Sequence, residues 1–205
     1  MYKNFLFDLD GTLIDSSKDI IEGVNYTLST FNLPPQDGKL IMSYVGKGLR
    51  QLLASVLKNY PEYVDKAYLI QKDYYDVKEV KATLYEGVEK TLKTLKEQNK
   101  KLFVVTNKPH TPTLNVLKHL NIDYLFDGIY GADILPFHKP SPLITNYICD
   151  NFSLNKEETI FIGDSITDFE TAKNGEIDFI LVDYGFENSE ILAEIKANYK
   201  FSNFC

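Results

Sequence analysis

The chain has little of several residue types, and each shortage argues against a class of protein. Only two of its 205 residues are cysteines and only three are histidines. One cysteine lies in a helical pattern and the other is the last residue, so we expect neither a disulfide nor a metal cluster. This usage fits a reducing cytoplasm, where we expect the protein to reside. The cysteines are Cys149 and Cys205, and the histidines are His110, His119 and His138. Their spacing is not that of a metal ligand set.

Long apolar runs and an excess of positive charge are also missing. No stretch approaches the roughly 20 apolar residues of a membrane helix, and we expect no secretory signal. The formal net charge is −7, which disfavours nucleic acid and anionic membranes as partners. We therefore expect neither partner, while a monomer and a homodimer both stay open.

The charge is unevenly distributed along the chain. Residues 16–80 carry eight Lys or Arg and eight Asp or Glu, so the rest of the chain holds the whole net charge of −7. The neutral segment contains helical patterns and no strand pattern, whereas strands and helices alternate elsewhere. The sequence therefore predicts an α/β core, a Rossmann-like doubly wound parallel sheet, at 1–15 and 81–205. An all-helical cap domain is inserted at 16–80, with hinges near 14–17 and 79–84.

Individual elements follow from apolar periodicity and from stop signals. Ser16 or Ser17 is expected to cap the first helix, and Gly175 to end the helix before the last strand. The predicted strands cover residues 3–7, 102–106, 128–131, 159–163 and 179–182. The predicted helices cover residues 18–31, 38–44, 49–59, 61–76, 88–99, 111–120, 142–152, 166–174 and 189–197.

Two carboxylates, Asp8 and Asp10, follow the first predicted strand. In an extended chain residues two apart point the same way, so the carboxylates lie close and need a cation, a shared proton or both. A solvated acidic turn is the simpler interpretation of such a pair alone. In an open parallel sheet, however, ligands bind beyond the carboxyl ends of the strands.

Other strand ends carry complementary groups. Carboxylate oxygens suit Mg²⁺, while hydroxyl groups, N–H groups and a lysine suit phosphate. Asp164 and Asp168 could instead be a helix cap and a first-turn acid, Lys139 a solvated lysine, and Asn107 a turn former. The polar residues after the second and fourth strands, and in the loop between them, are Thr106, Asn107, Lys108, Lys139, Asp164, Ser165 and Asp168.

Four motifs follow one another along the chain: Asp8-x-Asp10-Gly11-Thr12, Thr106-Asn107, Lys139-Pro140 and Gly163-Asp164-Ser165-x-x-Asp168. In this order, and across nearly the whole chain, they resemble the motifs of the haloacid dehalogenase-like hydrolase superfamily. The inserted helices resemble the cap of its subfamily with an α-helical cap. Three further segments, Thr106-Asn107-Lys108-Pro109, Tyr184-Gly185-Phe186 and Val45-Gly46-Lys47-Gly48, resemble phosphoglycolate phosphatases more narrowly. One departure is Gly175-Glu176, where these families commonly have Ala-Gly.

The resemblance implies a Mg²⁺-dependent phosphatase that hydrolyses a small phosphorylated metabolite through an aspartyl-phosphate. It implies Asp8 as the nucleophile and Asp10 as the acid and base. Mg²⁺ would be held by Asp8, Asp164 and the backbone carbonyl of Asp10, while Asp168 would orient waters or bind from further away. A phosphoryl-transferring mutase of the β-phosphoglucomutase type and a non-catalytic phosphate-binding or signalling domain are the alternatives.

The resemblance also implies substrate contacts. Thr106 and Lys139 would hold phosphoryl oxygens, together with backbone amides near Gly11 and Asn107. In the cap, Lys47 and Arg50 could bind a substrate carboxylate, or could be surface charges without a role. The predicted substrate-binding residues are therefore Gly11, Thr12, Asn107, Lys47 and Arg50.

Overall fold

A six-stranded parallel sheet forms the centre of the protein. A computed structural model describes residues 1–204, so the predicted state of Cys205 lies outside the described residues. The strands of the protein are β1 (Asn4–Phe7), β2 (Ile14–Asp15), β3 (Thr83–Leu84), β4 (Lys101–Val105), β5 (Gly128–Tyr130), β6 (Thr159–Gly163), β7 (Asp178–Val182) and β8 (Tyr199–Phe201). In the sheet they lie in the order β5-β4-β1-β6-β7-β8, with every pair parallel.

Nine α-helices accompany these strands in residues 1–204. They are α1 (Ser17–Thr30), α2 (Gly38–Met42), α3 (Leu49–Val56), α4 (Val64–Val77), α5 (Val88–Glu97), α6 (His110–His119), α7 (Pro142–Phe152), α8 (Ile166–Asn174) and α9 (Ser189–Glu194). The predicted bounds of β6, α7 and α8 agree to the residue. The helix predicted at 61–76 is instead a 3₁₀ turn, Pro61–Tyr63, followed by α4.

Three strands were not predicted. Strands β2 and β3 form a short antiparallel ribbon in which Ile14 pairs with Leu84 and Asp15 with Thr83. This ribbon joins the two segments that the sequence suggested as hinges. Strand β8 is an exposed three-residue edge strand. Elements this short carry too little apolar periodicity to be recognised from the sequence alone.

Separate apolar clusters fill the two faces of the sheet and the helical insertion. Helices α5 and α6 cover one face, where Leu92 and Val116 pack on β1 and β4. Helices α7, α8 and α9 cover the other face, where Ile148 packs with Phe161 of β6. Helices α1 to α4 enclose a third cluster that includes Leu53. The insertion therefore has an apolar core of its own.

Two helix ends differ from the predictions. Ser16 stands at the N-cap position of α1, but its side chain makes no capping hydrogen bond. Gly175 follows α8 with φ −79°, an ordinary helical value, while Glu176 adopts φ 58°. A Cβ at Gly175 would lie 2.8 Å from Thr145, so this glycine is required by the packing of α8 on α7 and not by its own backbone conformation.

The predicted fold class is confirmed: a doubly wound parallel sheet carries an inserted set of helices after its first strand. The precise limits of the two domains stay a prediction. Among the helices of residues 1–204, none is both long and apolar enough to cross a membrane.

Candidate active site

Three carboxylates meet at the carboxyl ends of β1 and β6. Asp8 follows β1, Asp164 follows β6, and Asp168 lies in the first turn of α8. One oxygen from each lies within 4.8 Å of the others, and all three residues are buried. Parallel strands end at the same edge of a sheet, so residues 156 positions apart in the sequence share one site.

Lys139 is the cation of this cluster. Its ammonium nitrogen lies 2.6 Å from Asp168 Oδ1 and 2.8 Å from Asp8 Oδ1. Only 2% of the Lys139 side chain is exposed, which excludes the interpretation as a solvated surface lysine. One ammonium among three buried carboxylates leaves the cluster with a formal excess of negative charge.

This excess shifts the protonation equilibria of the cluster. Burial and the Asp168 charge raise the pKa of Asp8 to about 7, against the opposing charge of Lys139. Burial and the charges of Asp168 and Asp8 also raise the pKa of Asp164. Burial lowers the pKa of Lys139, but the attraction of Asp168 and Asp8 outweighs it and the pKa is raised. The cluster therefore favours any added positive charge.

Asp164 is held by hydrogen bonds to both of its oxygens. The Thr12 hydroxyl donates to Oδ1 at 2.8 Å, and the Phe186 backbone N–H donates to Oδ2 at 2.8 Å. A Cβ at Gly185 would lie 2.3 Å from Asp164 Oδ2. The Tyr184 hydroxyl donates to the Thr12 carbonyl at 2.8 Å. The Tyr184-Gly185-Phe186 segment therefore encloses this carboxylate.

Two predicted substrate contacts take other partners. The Thr12 side chain is fully buried and its hydroxyl is bonded to Asp164. The Gly11 N–H donates to the Ile14 carbonyl at 2.9 Å, so this amide is not available for a phosphoryl oxygen. Gly11 has φ +86°, and a Cβ there would lie 2.4 Å from Asp164 Oδ2. Both residues position Asp164 and do not face the cavity.

Asp168 combines two roles that the sequence presented as alternatives. Its Oδ2 accepts hydrogen bonds from the Ser165 N–H at 3.0 Å and the Ser165 hydroxyl at 2.6 Å, which completes a capping box at the start of α8. Its Oδ1 accepts from Lys139. Ser165 is the N-cap residue of α8, and Asp168 is the acid of the capping box. Asp168 also holds the Lys139 ammonium in the cluster.

Asp10 faces a different set of partners from Asp8. The Lys108 ammonium lies 3.1 Å from Asp10 Oδ1 and 3.3 Å from Oδ2. The Ser16 hydroxyl donates to Oδ1 at 2.5 Å, which explains why Ser16 does not cap α1. The two carboxylates of the Asp8-x-Asp10 motif are therefore paired with separate lysines.

Lys108 was not among the predicted site residues, although it stands in the Thr106–Pro109 motif after β4. Its ammonium lies 5.3 Å from the centre of the Tyr75 ring of α4, within the range of a cation–π contact. Burial lowers the pKa of Lys108, but the Asp10 charge outweighs it and the pKa is raised. The available signal was its position at a strand end, next to the predicted contacts Thr106 and Asn107.

Thr106 and Asn107 occupy the edge of the same site. The Thr106 hydroxyl oxygen accepts from the Lys108 N–H at 3.2 Å, and within residues 1–204 its proton has no acceptor. The Asn107 side-chain amide donates at 3.2 Å to the Gly46 carbonyl of the insertion and at 3.2 Å to the Lys139 carbonyl. Asn107 therefore connects the insertion to the core, whereas Thr106 can donate to a ligand.

A cavity of about 60 Å³ lies between the strand ends and the inserted helices. Its core side carries the polar groups, and its other side is apolar except for Tyr75. The lining residues are Asp8, Asp10, Thr106, Asn107, Lys108 and Pro109 from the core, and Ile20, Val45, Gly46, Gly48, Leu49, Leu52 and Tyr75 from the insertion.

Neither predicted cap cation lines this cavity. The Arg50 guanidinium pairs with Asp65 and lies 5.2 Å from the centre of the Tyr68 ring, with 58% of the side chain exposed. Lys47 is exposed. The contact of Lys47 and Arg50 with the substrate stays a prediction, since both side chains are exposed outside the cavity lining.

The acid cluster fits a divalent cation. Asp8 Oδ1 is buried beside the Lys139 ammonium, and the cluster still holds three carboxylates around that one cation. Asp8 and Asp164 supply hard oxygen donors, and Asp8 lies at the edge of the cavity. Such oxygens are the ligands that divalent cations with hard character take in proteins.

The parallel sheet, the acid cluster at its carboxyl end and the inserted helices define a class of hydrolase built on an α/β core. The sequence model of the haloacid dehalogenase-like hydrolases matches residues 5–182. The chain belongs to this family, as its four motifs indicated.

Individual relatives point the same way. The chain is 32% identical over 213 residues to the phosphoglycolate phosphatase of Pasteurella multocida, covering 99% of this chain and 95% of that protein. It resembles the crystal structure of a predicted phosphoglycolate phosphatase from Haemophilus somnus, with a TM-score of 0.89, 29% identity and coverage of 99% and 95%. A predicted phosphatase from Clostridium acetobutylicum gives a TM-score of 0.87, 29% identity and coverage of 98% and 93%.

Proposed function

We propose that this chain is a Mg²⁺-dependent phosphatase of small phosphorylated metabolites, with 2-phosphoglycolate as its substrate. The observation that carries the proposal is the different pairing of the two carboxylates after β1. Asp8 belongs to the buried acid cluster with Lys139, whereas Asp10 lies across the cavity edge against Lys108 and Ser16. A nucleophile and an acid–base group require such distinct surroundings.

Asp8 is the proposed nucleophile. Its carboxylate oxygen attacks phosphorus, the bond from phosphorus to the ester oxygen breaks, and an aspartyl-phosphate forms. A water molecule then attacks phosphorus, the bond to Asp8 breaks, and inorganic phosphate leaves with the carboxylate restored. The position of Asp8 in the lining of the cavity supports this role.

Asp10 is the proposed acid and base. Its carboxyl group gives a proton to the leaving alkoxide in the first step, and its carboxylate accepts a proton from the attacking water in the second. Its contacts with Lys108 and Ser16 fix the carboxyl group in the lining of the cavity. Such fixed orientation is a large part of what a catalytic group requires.

The remaining core residues would hold the cation and the phosphoryl group. Asp8, Asp164 and the Asp10 carbonyl would hold Mg²⁺, with Asp168 fixing Lys139 beside them. Bound there, Mg²⁺ supplies positive charge that stabilises the charge developing on the phosphoryl oxygens. Thr106, with its free hydroxyl proton, and Lys139 would donate to those oxygens.

The full-length similarity to the phosphoglycolate phosphatase of Pasteurella multocida supports a small phosphorylated substrate. The inserted helices at 16–80 would form the cap domain that closes over the substrate and excludes water from the apolar wall. A mutase of the β-phosphoglucomutase type stays the alternative. Placement in the cytoplasm and the oligomeric state stay predictions.

Hydrolysis of a panel of phosphate esters, measured as phosphate release with Mg²⁺ and with EDTA, tests the proposal. We expect Mg²⁺-dependent release, fastest with 2-phosphoglycolate. Hydrolysis of several other esters without turnover of 2-phosphoglycolate would contradict the substrate, and isomerised sugar phosphate without phosphate release would favour the mutase. Absence of turnover together with phosphate binding would favour a non-catalytic domain.

A further inference from the structure

The cavity has little positive charge available for a substrate. Among residues 1–204, only Lys108 is a cation in its lining. Lys139 lies behind Asp8, 2% exposed and shared between two carboxylates. An anionic group on the leaving-group side would therefore meet Lys108 alone.

Lys108 is held so that it can bind a second anion. Asp10 accepts from its ammonium group, and the Tyr75 ring lies 5.3 Å away on the side of the insertion. An ammonium group has three N–H donors, and Asp10 can take at most two of them. The side chain is 10% exposed, and Lys108 lines this cavity as well as a second pocket beside Ser16 and Tyr74. A donor is thus available there.

The position of Lys108 beside Asp10 restricts where an acceptor can lie in the substrate. The ester oxygen of a substrate must lie next to Asp10, because Asp10 gives it a proton. An anionic group that also reaches Lys108, 3.1 Å from the same carboxyl oxygen, must be bonded close to that ester oxygen. In an O-phosphorylated 2-hydroxy acid the carboxylate carbon is two bonds from the ester oxygen.

We propose that Lys108 binds the substrate carboxylate and thereby selects O-phosphorylated 2-hydroxy acids. The inference rests on the proposed phosphatase function and adds the residue that recognises the leaving group. Tyr75 keeps the ammonium between the two carboxylates, of Asp10 and of the substrate, which would otherwise repel each other.

Three esters separate this role from a general effect on Asp10. They are 2-phosphoglycolate, ethyl phosphate, which lacks the carboxylate, and the phosphate ester of 3-hydroxypropionate, in which the carboxylate is one carbon further away. Lys108→Met should weaken catalysis with all three because Asp10 loses a partner. The ratio of kcat/KM for 2-phosphoglycolate to kcat/KM for ethyl phosphate cancels that common loss and reports the carboxylate contact.

We expect this ratio to be roughly 10- to 100-fold lower in Lys108→Met than in the wild type, as for loss of a charged hydrogen bond. The change should come mainly from the KM for 2-phosphoglycolate. The longer ester should behave like ethyl phosphate in both proteins. Lys118→Met, at an exposed lysine of α6, is the matched control and should keep the wild-type ratio. Collapse of the ratio in Lys47→Met, with no change in Lys108→Met, would overturn the inference.

Binding without turnover gives a second measurement. In Asp8→Asn, which lacks the nucleophile, 2-phosphoglycolate should raise Tm more than ethyl phosphate does, and adding Lys108→Met should remove the difference. Equal effects of the two esters on both proteins would refute the role of Lys108 even if no ester is hydrolysed. Wild-type hydrolysis of both esters with equal kcat/KM would refute it too, while leaving the phosphatase function intact.

Discussion

Replacing Lys139 tests whether one buried cation holds the acid cluster together. In Lys139→Met, three buried carboxylates lose the ammonium that lies 2.6 Å from Asp168 and 2.8 Å from Asp8. Removing one partner of a buried ion pair costs about 3–5 kcal/mol. For a chain of this length, each kcal/mol lowers Tm by about 2–4 °C, so we expect a fall of roughly 6–20 °C in EDTA at pH 8.

The loss should depend on pH and on Mg²⁺. At pH 5 the Asp8 carboxyl group, whose pKa is about 7, is largely protonated, so less unpaired charge is left and the fall in Tm should be smaller. Saturating Mg²⁺ should restore part of the stability because it adds positive charge to the same cluster. Circular dichroism at both pH values, with EDTA and with Mg²⁺, measures all four conditions.

Two further variants make the experiment decisive. Lys93→Met removes a lysine whose ion pair with Glu89 is 2.6 Å long but about half exposed, and should leave Tm nearly unchanged because solvent screens such a pair. Adding Asp168→Asn to Lys139→Met removes one unpaired charge and should recover stability. A Lys139→Met protein within about 1 kcal/mol of Lys93→Met at pH 8 would refute the electrostatic account of the cluster.

Three other predictions follow from single residues. Asp10→Asn should nearly abolish phosphate release, measured in a coupled assay, while keeping the Mg²⁺-dependent rise in Tm, because the Asp10 side chain is not a proposed metal ligand. In EDTA, between about pH 4 and pH 7, Asp8 binds more protons in the folded protein than in the unfolded chain, so the stability of the folded protein falls as pH rises through this range. Asp8→Asn removes this titration, and urea unfolding should show that it stabilises the protein by up to about 4 kcal/mol more at pH 8 than at pH 4. Glu176→Gly should raise the free energy of unfolding by about 0.5–1 kcal/mol, because Glu176 adopts φ 58°, whereas Gly175→Ala should lower it in the same urea titration.

The sequence predicts those parts of the site that depend on strand position. Asp8, Thr106 and Asp164 come together because each directly follows a buried parallel strand, and strand ends are set by apolar periodicity. Helix α7 and strand β6 also agree with their predicted bounds to the residue. Such elements are long, periodic and bounded by clear stop signals, which local sequence is sufficient to encode.

Side-chain partners could not be predicted in the same way. Lys108 and Asp10 are 98 residues apart, and the Lys108 ammonium also lies 5.3 Å from the Tyr75 ring of helix α4. Arg50 pairs with Asp65 on the insertion, which follows from the packing of α3 on α4. Such contacts are decided by tertiary geometry, and a charged residue near a motif gives no information about the direction of its side chain.

The two acids of the Asp8-x-Asp10 motif therefore depend on different parts of the protein. Asp8 is fixed by Lys139, which belongs to the core. Asp10 is fixed by Ser16, at the start of the first inserted helix, and by Lys108, which contacts Tyr75 of the last inserted helix. Movement of the inserted helices would thus displace partners of Asp10, the proposed acid–base group, and leave Lys139 beside Asp8, the proposed nucleophile.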